Sequence, residues 1–250
     1  MKICVFGNSH ASTLQMALKD GWHVEDTTID FAVISGGRGP YMKLEDDLVF
    51  PTRNIQNFRT TLESAASEGV RINDFDAIIL SGIGVRLLGF GKSTEAHFPL
   101  HRARLATWGG SHDLPRITRQ HMQSVMEGAI TAAPLWQLCE ALLARGGARI
   151  FLHTAPRPAR GAIKALGHPL MNDYSEEAVA AHLSEILDTI DKARRAITAD
   201  LPVDLLSLPN DIVIGGFTNE ALMRRDFVHG AAPLGRMVLD NLVASLKQAA

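Results

Sequence analysis

Five short apolar runs, separated by stretches of helical period, constrain this chain more than any other feature. The runs are Lys2 to Phe6, Phe31 to Ile34, Asp76 to Leu80, Ala148 to Leu152 and Val203 to Leu206. Gly7, Gly36 and Gly82 cut off the first three, and prolines at 156 and 158 follow the fourth. Helical spacing is expected over Ala11 to Leu18, Phe58 to Ala66 and Pro134 to Arg145, the last with proline near its start and Gly146-Gly147 at its stop. The longest helical pattern runs from Ser175 to about Ala199 and opens on Asp173 with Glu176 three residues on, a capping-box spacing. A last helix, Pro233 to Lys247, carries Leu234, Met237, Val238, Leu242 and Leu246 on one stripe.

Short, nearly continuous apolar strands alternating with helices are the pattern of βαβ units. The expected fold is therefore α/β: a three-layer α/β/α sandwich around a five-stranded, mostly parallel sheet. No linker, repeat or low-complexity tract divides the 250 residues, so one domain spanning 1–250 is expected. The least regular stretch, Val85 to Thr131, holds His97, His101, His112 and His121 with Arg86, Arg102, Arg104, Arg116, Arg119 and Trp108. A tract this long between elements reads as a lid-like insertion over the strand ends.

Composition removes several classes. A formal net charge of -2 lacks the concentrated basic surface of a nucleic-acid binder. No stretch reaches the roughly 20 apolar residues of a membrane span, and no apolar run of signal-peptide length precedes Gly7. A cytoplasmic protein without membrane contact is the expectation. The two cysteines, Cys4 in a strand and Cys139 in a helix, read as free buried thiols.

In open parallel sheets, ligands bind outside the carboxyl ends of the strands. Gly7-Asn8-Ser9-His10 puts a serine at such an end, at the mouth of a helix. Asp226-Phe227-Val228-His229 puts a carboxylate and an imidazole just before the last helix. A serine hydroxyl is a poor nucleophile until a base takes its proton. Histidine has the pKa for that task, and a carboxylate fixes its tautomer. Asp-x-x-His alone has no specificity; its position and Ser9 give it weight. His10 reads as an ordinary residue of the helix start, and Ser12 as helix-facing.

Other chemistries fit less well. His97 and His101 have the spacing of two metal ligands on one helical face, with His112-Asp113 nearby, but Pro99 interrupts a helix there. No metal and no cofactor are expected. Gly36-Gly37-Arg38-Gly39 is not a dinucleotide fingerprint, and Gly91-Lys92-Ser93 lacks the glycine a P-loop needs, having Arg86 in its place.

Taken in order along the whole chain, these blocks resemble the SGNH/GDSL hydrolases. Gly7-Asn8-Ser9-His10 is similar to the first block, with Asn8 where many members have aspartate. Ile34-Ser35-Gly36 is similar to the second, and Ser81-Gly82-Ile83-Gly84 falls at the third. Asp226-Phe227-Val228-His229, followed by Gly235 and a closing helix, is similar to the fifth. The resemblance implies a flavodoxin-like hydrolase fold with Ser9 as nucleophile, His229 as base and Asp226 as its orienting acid. It also implies an oxyanion hole using the N–H groups of Ser9 and Gly36, and an ester substrate such as an O-acetyl carbohydrate. The third block departs: where Gly-x-Asn-Asp is usual, this chain has Gly82, Ile83, Gly84 and Val85, so the asparagine donor is absent. Loss of one such donor costs a working site about 10²–10³ in rate. Three alternatives stand. Another side chain supplies the donor, with Arg86, His97 and His153 placed by position to do so or to contact substrate. The backbone at Gly84 turns its own N–H inward. Or the cleft binds a carbohydrate or protein without catalysis. The same triad also serves an O-acyltransferase, in which a sugar hydroxyl replaces water.

Overall fold

The computed structural model describes residues 1–34, 41–53, 57–62, 69–83, 119–165 and 175–248. Its central strand is β1 (Lys2–Gly7), paired in parallel on one side with β2 (Thr28–Ile34) and on the other with β7 (Ala77–Ile83). Beyond β7 lie β8 (Arg149–Thr154) and β9 (Val203–Leu206), also parallel. These five are the apolar runs read from the sequence. With both faces of the sheet covered, nearly every residue of β1 is buried, and a continuous apolar run is what such a strand requires.

Alternation along β1 divides the core. Ile3 and Val5 face one helical layer, formed by α1 (Ala11–Lys19) and the closing helix (Ala232–Gln248). Cys4 and Phe6 face the other, built from α2 (Arg119–Thr131), α3 (Pro134–Arg145) and the long helix Glu176–Thr198. In chain order the short helix Ala162–Ala165 is α4, the long helix α5 and the closing helix α6. The three-layer expectation is met. Both cysteines are buried and free.

Among the described residues the main sheet has six strands rather than five. Phe58 to Ala66 was expected to be helical, but β5 (Phe58–Thr60) pairs antiparallel with β2 at the sheet edge. The i,i+4 pair Phe58 and Leu62 imitates a helical stripe, while β-forming Phe58 and Thr60 suit the open edge of β2. Thr61 fixes the pairing: its N–H donates to Phe31 O (3.0 Å), and its hydroxyl accepts from Phe31 N (2.9 Å). A second, three-stranded sheet was not foreseen. It joins β3 (Met42–Glu45), β4 (Leu48–Pro51) and β6 (Val70–Arg71), the first two through a two-residue turn with Asp46 at φ 53°. The alternation Met42-Lys43-Leu44-Glu45 carried that signal. A two-stranded ribbon, β10 (Val213–Ile214) and β11 (Phe217–Thr218), follows β9.

The insertion is corrected at its end. Arg119–Thr131 is a regular helix whose Met122, Met126 and Ile130, spaced by four, are buried in the core. It is part of the scaffold; residues 85–118 lie outside the described residues. The cap of α5 is Ser175, whose hydroxyl accepts from Ala178 N at 3.3 Å, whereas Asp173 lies outside the described residues. Among the described residues no helix is long and apolar enough to cross a membrane.

The order of the five parallel strands, β2-β1-β7-β8-β9, reverses direction between β1 and β7. Doubly wound sheets of this order bind ligands at that reversal, beyond the strand carboxyl ends. Ser9 stands there.

Candidate active site

One close backbone approach and a set of asparagine hydrogen bonds place Ser9. A Cβ on Gly7 would lie 2.4 Å from Ser81 O, so only glycine lets β1 run this near β7 at its exit. Asn8 then ties the turn: its N–H donates to Ser81 O (3.2 Å), its Nδ2 to Gly82 O (3.2 Å), and its Oδ1 accepts from His10 N (3.0 Å). The Nδ2 bond is one an aspartate could not make, which gives Asn8 a structural reason in this chain. The N–H groups of Ala11, Ser12 and Thr13 each find a carbonyl in the turn, at Asn8, Ser9 and His10. Ser9 N–H is left without an acceptor among the described residues, a free donor at a helix mouth.

His229 is delivered by a loop that closes on itself. Arg224 N donates to His229 O (2.8 Å) and Phe227 N to Arg224 O (2.8 Å), with Phe227 at φ 59°. Asp226 Oδ1 accepts from the backbone of Val228 (3.0 Å) and His229 (2.9 Å), while Oδ2 faces His229 Nδ1 at 2.9 Å. An ionised carboxylate only accepts, so Nδ1 carries the proton and Nε2 is the accepting nitrogen. Nε2 lies 2.8 Å from Ser9 Oγ, across 220 residues of sequence. Burial pushes the Asp226 carboxyl up, but the two backbone donors and the His229 ring outweigh it and hold the group below its usual range. Asp226 is therefore a carboxylate at neutral pH.

The loop sits correctly because α6 lies directly on α1. A Cβ on Gly235 would meet Thr13 O at 2.2 Å, and Thr13 Oγ1 donates to Gly230 O at 3.2 Å. Trp22 Nε1 bonding Asp240 (2.9 Å) and Arg236 bonding Asp20 tie the residues just after α1 to the first half of α6.

His10 is not an ordinary helix-start residue. Its ring lies 4.9 Å from the His229 ring, tilted by 37°, and its Nδ1 is buried without a partner. Burial, then the neighbouring His229, His153 and Arg194, push its pKa down to about 3. It stays neutral where His229 would need to carry charge. Sequence reasoning missed this; its adjacency to Ser9 was the available signal. Ser12 turns back on its own helix, donating to Ser9 O at 2.6 Å.

The remaining candidates separate cleanly. Gly36, Gly84, Arg86 and His97 lie outside the described residues, as do His101 and His112. His153 is fully buried in β8 and bonds Ser81 Oγ through Nδ1 at 2.8 Å, which corrects its expected contact with substrate to a place in the core. Burial, then Arg194, lower its pKa to about 4. The unfolded chain holds a proton on this imidazole below about pH 6.5 and the folded chain does not. Stability is thus whole above pH 6.5 and is lost as pH falls toward 4, by up to about 3 kcal/mol from this group. Urea midpoints measured from pH 7 to pH 4 are expected to fall, and less steeply in His153→Asn, which keeps a partner for Ser81. Parallel slopes in the two proteins would refute the assignment.

No family model matches this chain, and no curated protein matches it. Two solved structures are similar to it. The lipase/acylhydrolase from Enterococcus faecalis is 13% identical, covering 99% of this chain and 96% of that chain, with a TM-score of 0.43. A DUF4886 family protein from Bacteroides uniformis is 12% identical, covering 99% and 83%, with a TM-score of 0.37. Likeness of this degree carries no argument about activity, and the functional reading rests on the chain's own geometry.

Proposed function

We propose that this chain is a serine ester hydrolase of the SGNH/GDSL type, acting on a small O-acyl ester, O-acetyl carbohydrate being the substrate class that resemblance implies. The observation that supports the reading is the unbroken relay Ser9 Oγ–His229 Nε2 (2.8 Å) and His229 Nδ1–Asp226 Oδ2 (2.9 Å), located at the sheet's reversal point. Ser9 Oγ attacks the acyl carbonyl carbon as its proton passes to His229 Nε2. Asp226 steadies the imidazolium. The free N–H of Ser9 faces the developing oxyanion, and the proposal extends this role to the N–H groups of Gly36 and Gly84. Collapse of the adduct expels the alcohol, which takes the proton from His229. Water, deprotonated by His229, then releases the acid and restores Ser9. A purely binding role would require neither the relay nor a neutral second imidazole beside it.

A fluorophosphonate probe is expected to label the wild-type chain once and Ser9→Ala not at all, with the adduct mapped to Ser9 by peptide mass. Equal labelling of both proteins would remove Ser9 from the mechanism.

A further inference from the structure

A second concave site lies over the carboxyl ends of β8 and β9, beside the middle of α5. It is a cavity of about 400 Å³, within the range of small-molecule sites. Three arginines line it, Arg157, Arg194 and Arg195, against two aspartates, Asp188 and Asp191, leaving one positive charge in excess.

The arginines are not equivalent. Arg157 is held by four bonds: Nε and Nη2 grip Asp191 Oδ2 (2.9 and 2.6 Å), Nη2 also reaches Asp188 (2.7 Å), and Nη1 donates to Gly216 O (3.1 Å). It builds the wall. Arg194, only 9% exposed, donates Nη1 to Asp191 Oδ1 (2.9 Å) but has its buried Nε without a partner. Thr218, 2% exposed, is also among the lining residues and has its hydroxyl buried and unpartnered. Unpartnered donors this deeply buried are rare, and neither has accessible surface, so they meet a ligand only by turning into the cavity. Arg195 is exposed and pairs with no carboxylate among the described residues. Ser184, Ser207 and Asn210 add neutral hydrogen-bonding groups.

We propose that this cavity binds a small hydroxylated ligand through one oxyanion group, a carboxylate or a phosphate, received by Arg194, Arg195 and Thr218. Guanidinium groups suit both anions, since each offers planar, divergent N–H donors to paired oxygens. The excess positive charge selects an anion over a cation, and the serines and asparagine match ligand hydroxyls. Because β1, β8 and β9 run parallel, the cavity beyond the ends of β8 and β9 lies at the same end of the sheet as Ser9. The inference does not depend on the ester-hydrolase reading, because binding is read without turnover.

Isothermal titration of the full chain with glucuronate, glucose 6-phosphate and glucose tests it. At least one of the two charged sugars is expected to bind saturably, glucose at least about tenfold more weakly, and the preferred charged sugar identifies the anion. Arg195→Ala and Thr218→Val, the latter close to isosteric, are each expected to weaken that binding about fivefold or more, with thermal midpoints near wild type. Failure of both charged sugars to bind would overturn the proposal and leave a polar packing cavity. So would glucose binding equally well, or binding indifferent to both substitutions.

Discussion

His229→Ala is expected to lower kcat/KM for short acyl esters by about 10⁴-fold or more while leaving the fold intact. The ring of His229 supplies Nε2, the nitrogen that faces Ser9 Oγ. Its removal returns the serine to the reactivity of an ordinary alcohol. The loop should survive, because the bonds that shape it are main-chain ones. His229 O still accepts from Arg224 N, and His229 N still donates to Asp226 Oδ1. Circular dichroism and thermal melting against steady-state hydrolysis separate the two effects. Full activity in a folded His229→Ala protein would end the ester-hydrolase reading.

Gly235→Ala is expected to cost both stability and rate, the rate more. The added carbon would stand 2.2 Å from Thr13 O, a backbone atom that can yield only if α6 and α1 separate. Overpacking of this kind costs about 1–3 kcal/mol. At this chain length each kcal/mol lowers Tm by about 2–4 °C. Because α1 begins beside Ser9 and α6 begins beside His229, separating them lengthens the contact between Oγ and Nε2. A displacement near 1 Å can cost about 10²-fold. Among molecules that remain folded, hydrolysis should therefore drop at least about tenfold, with kcat affected more than KM. If activity falls only in proportion to the folded fraction, the helix contact does not set the geometry of the site.

The parallel strands were legible because burial on both faces forces continuous apolar runs, as in β1, β2, β7 and β8; β9, at the sheet edge and interrupted by Asp204, carries a weaker one. The edge strand β5 was not, since three residues carry too little period to distinguish Phe58 and Leu62 on a helix from Phe58 and Thr60 on a strand. Met122, Met126 and Ile130 did carry a helical stripe, but the surrounding histidines and arginines have the composition of a solvent-facing lid. At the site, Ser9, Asp226 and His229 of the proposed triad could be picked out as residue types, because that chemistry demands those groups at strand and helix ends. What no sequence pattern carries is contact between elements. The unpaired N–H of Ser9, the ring of His10 against that of His229, and the burial of His153 all depend on how α1, α6 and β8 meet.

The loop carrying Asp226 and His229 is bonded within itself, yet its partner Ser9 was synthesised 220 residues earlier. Along a growing chain the serine is thus made long before its base. Until residues 226–242 have folded onto α1, the hydroxyl has nothing to take its proton. In the proposed hydrolase, reactivity thus reports that α6 has docked, and a chain without that contact would carry an inert alcohol.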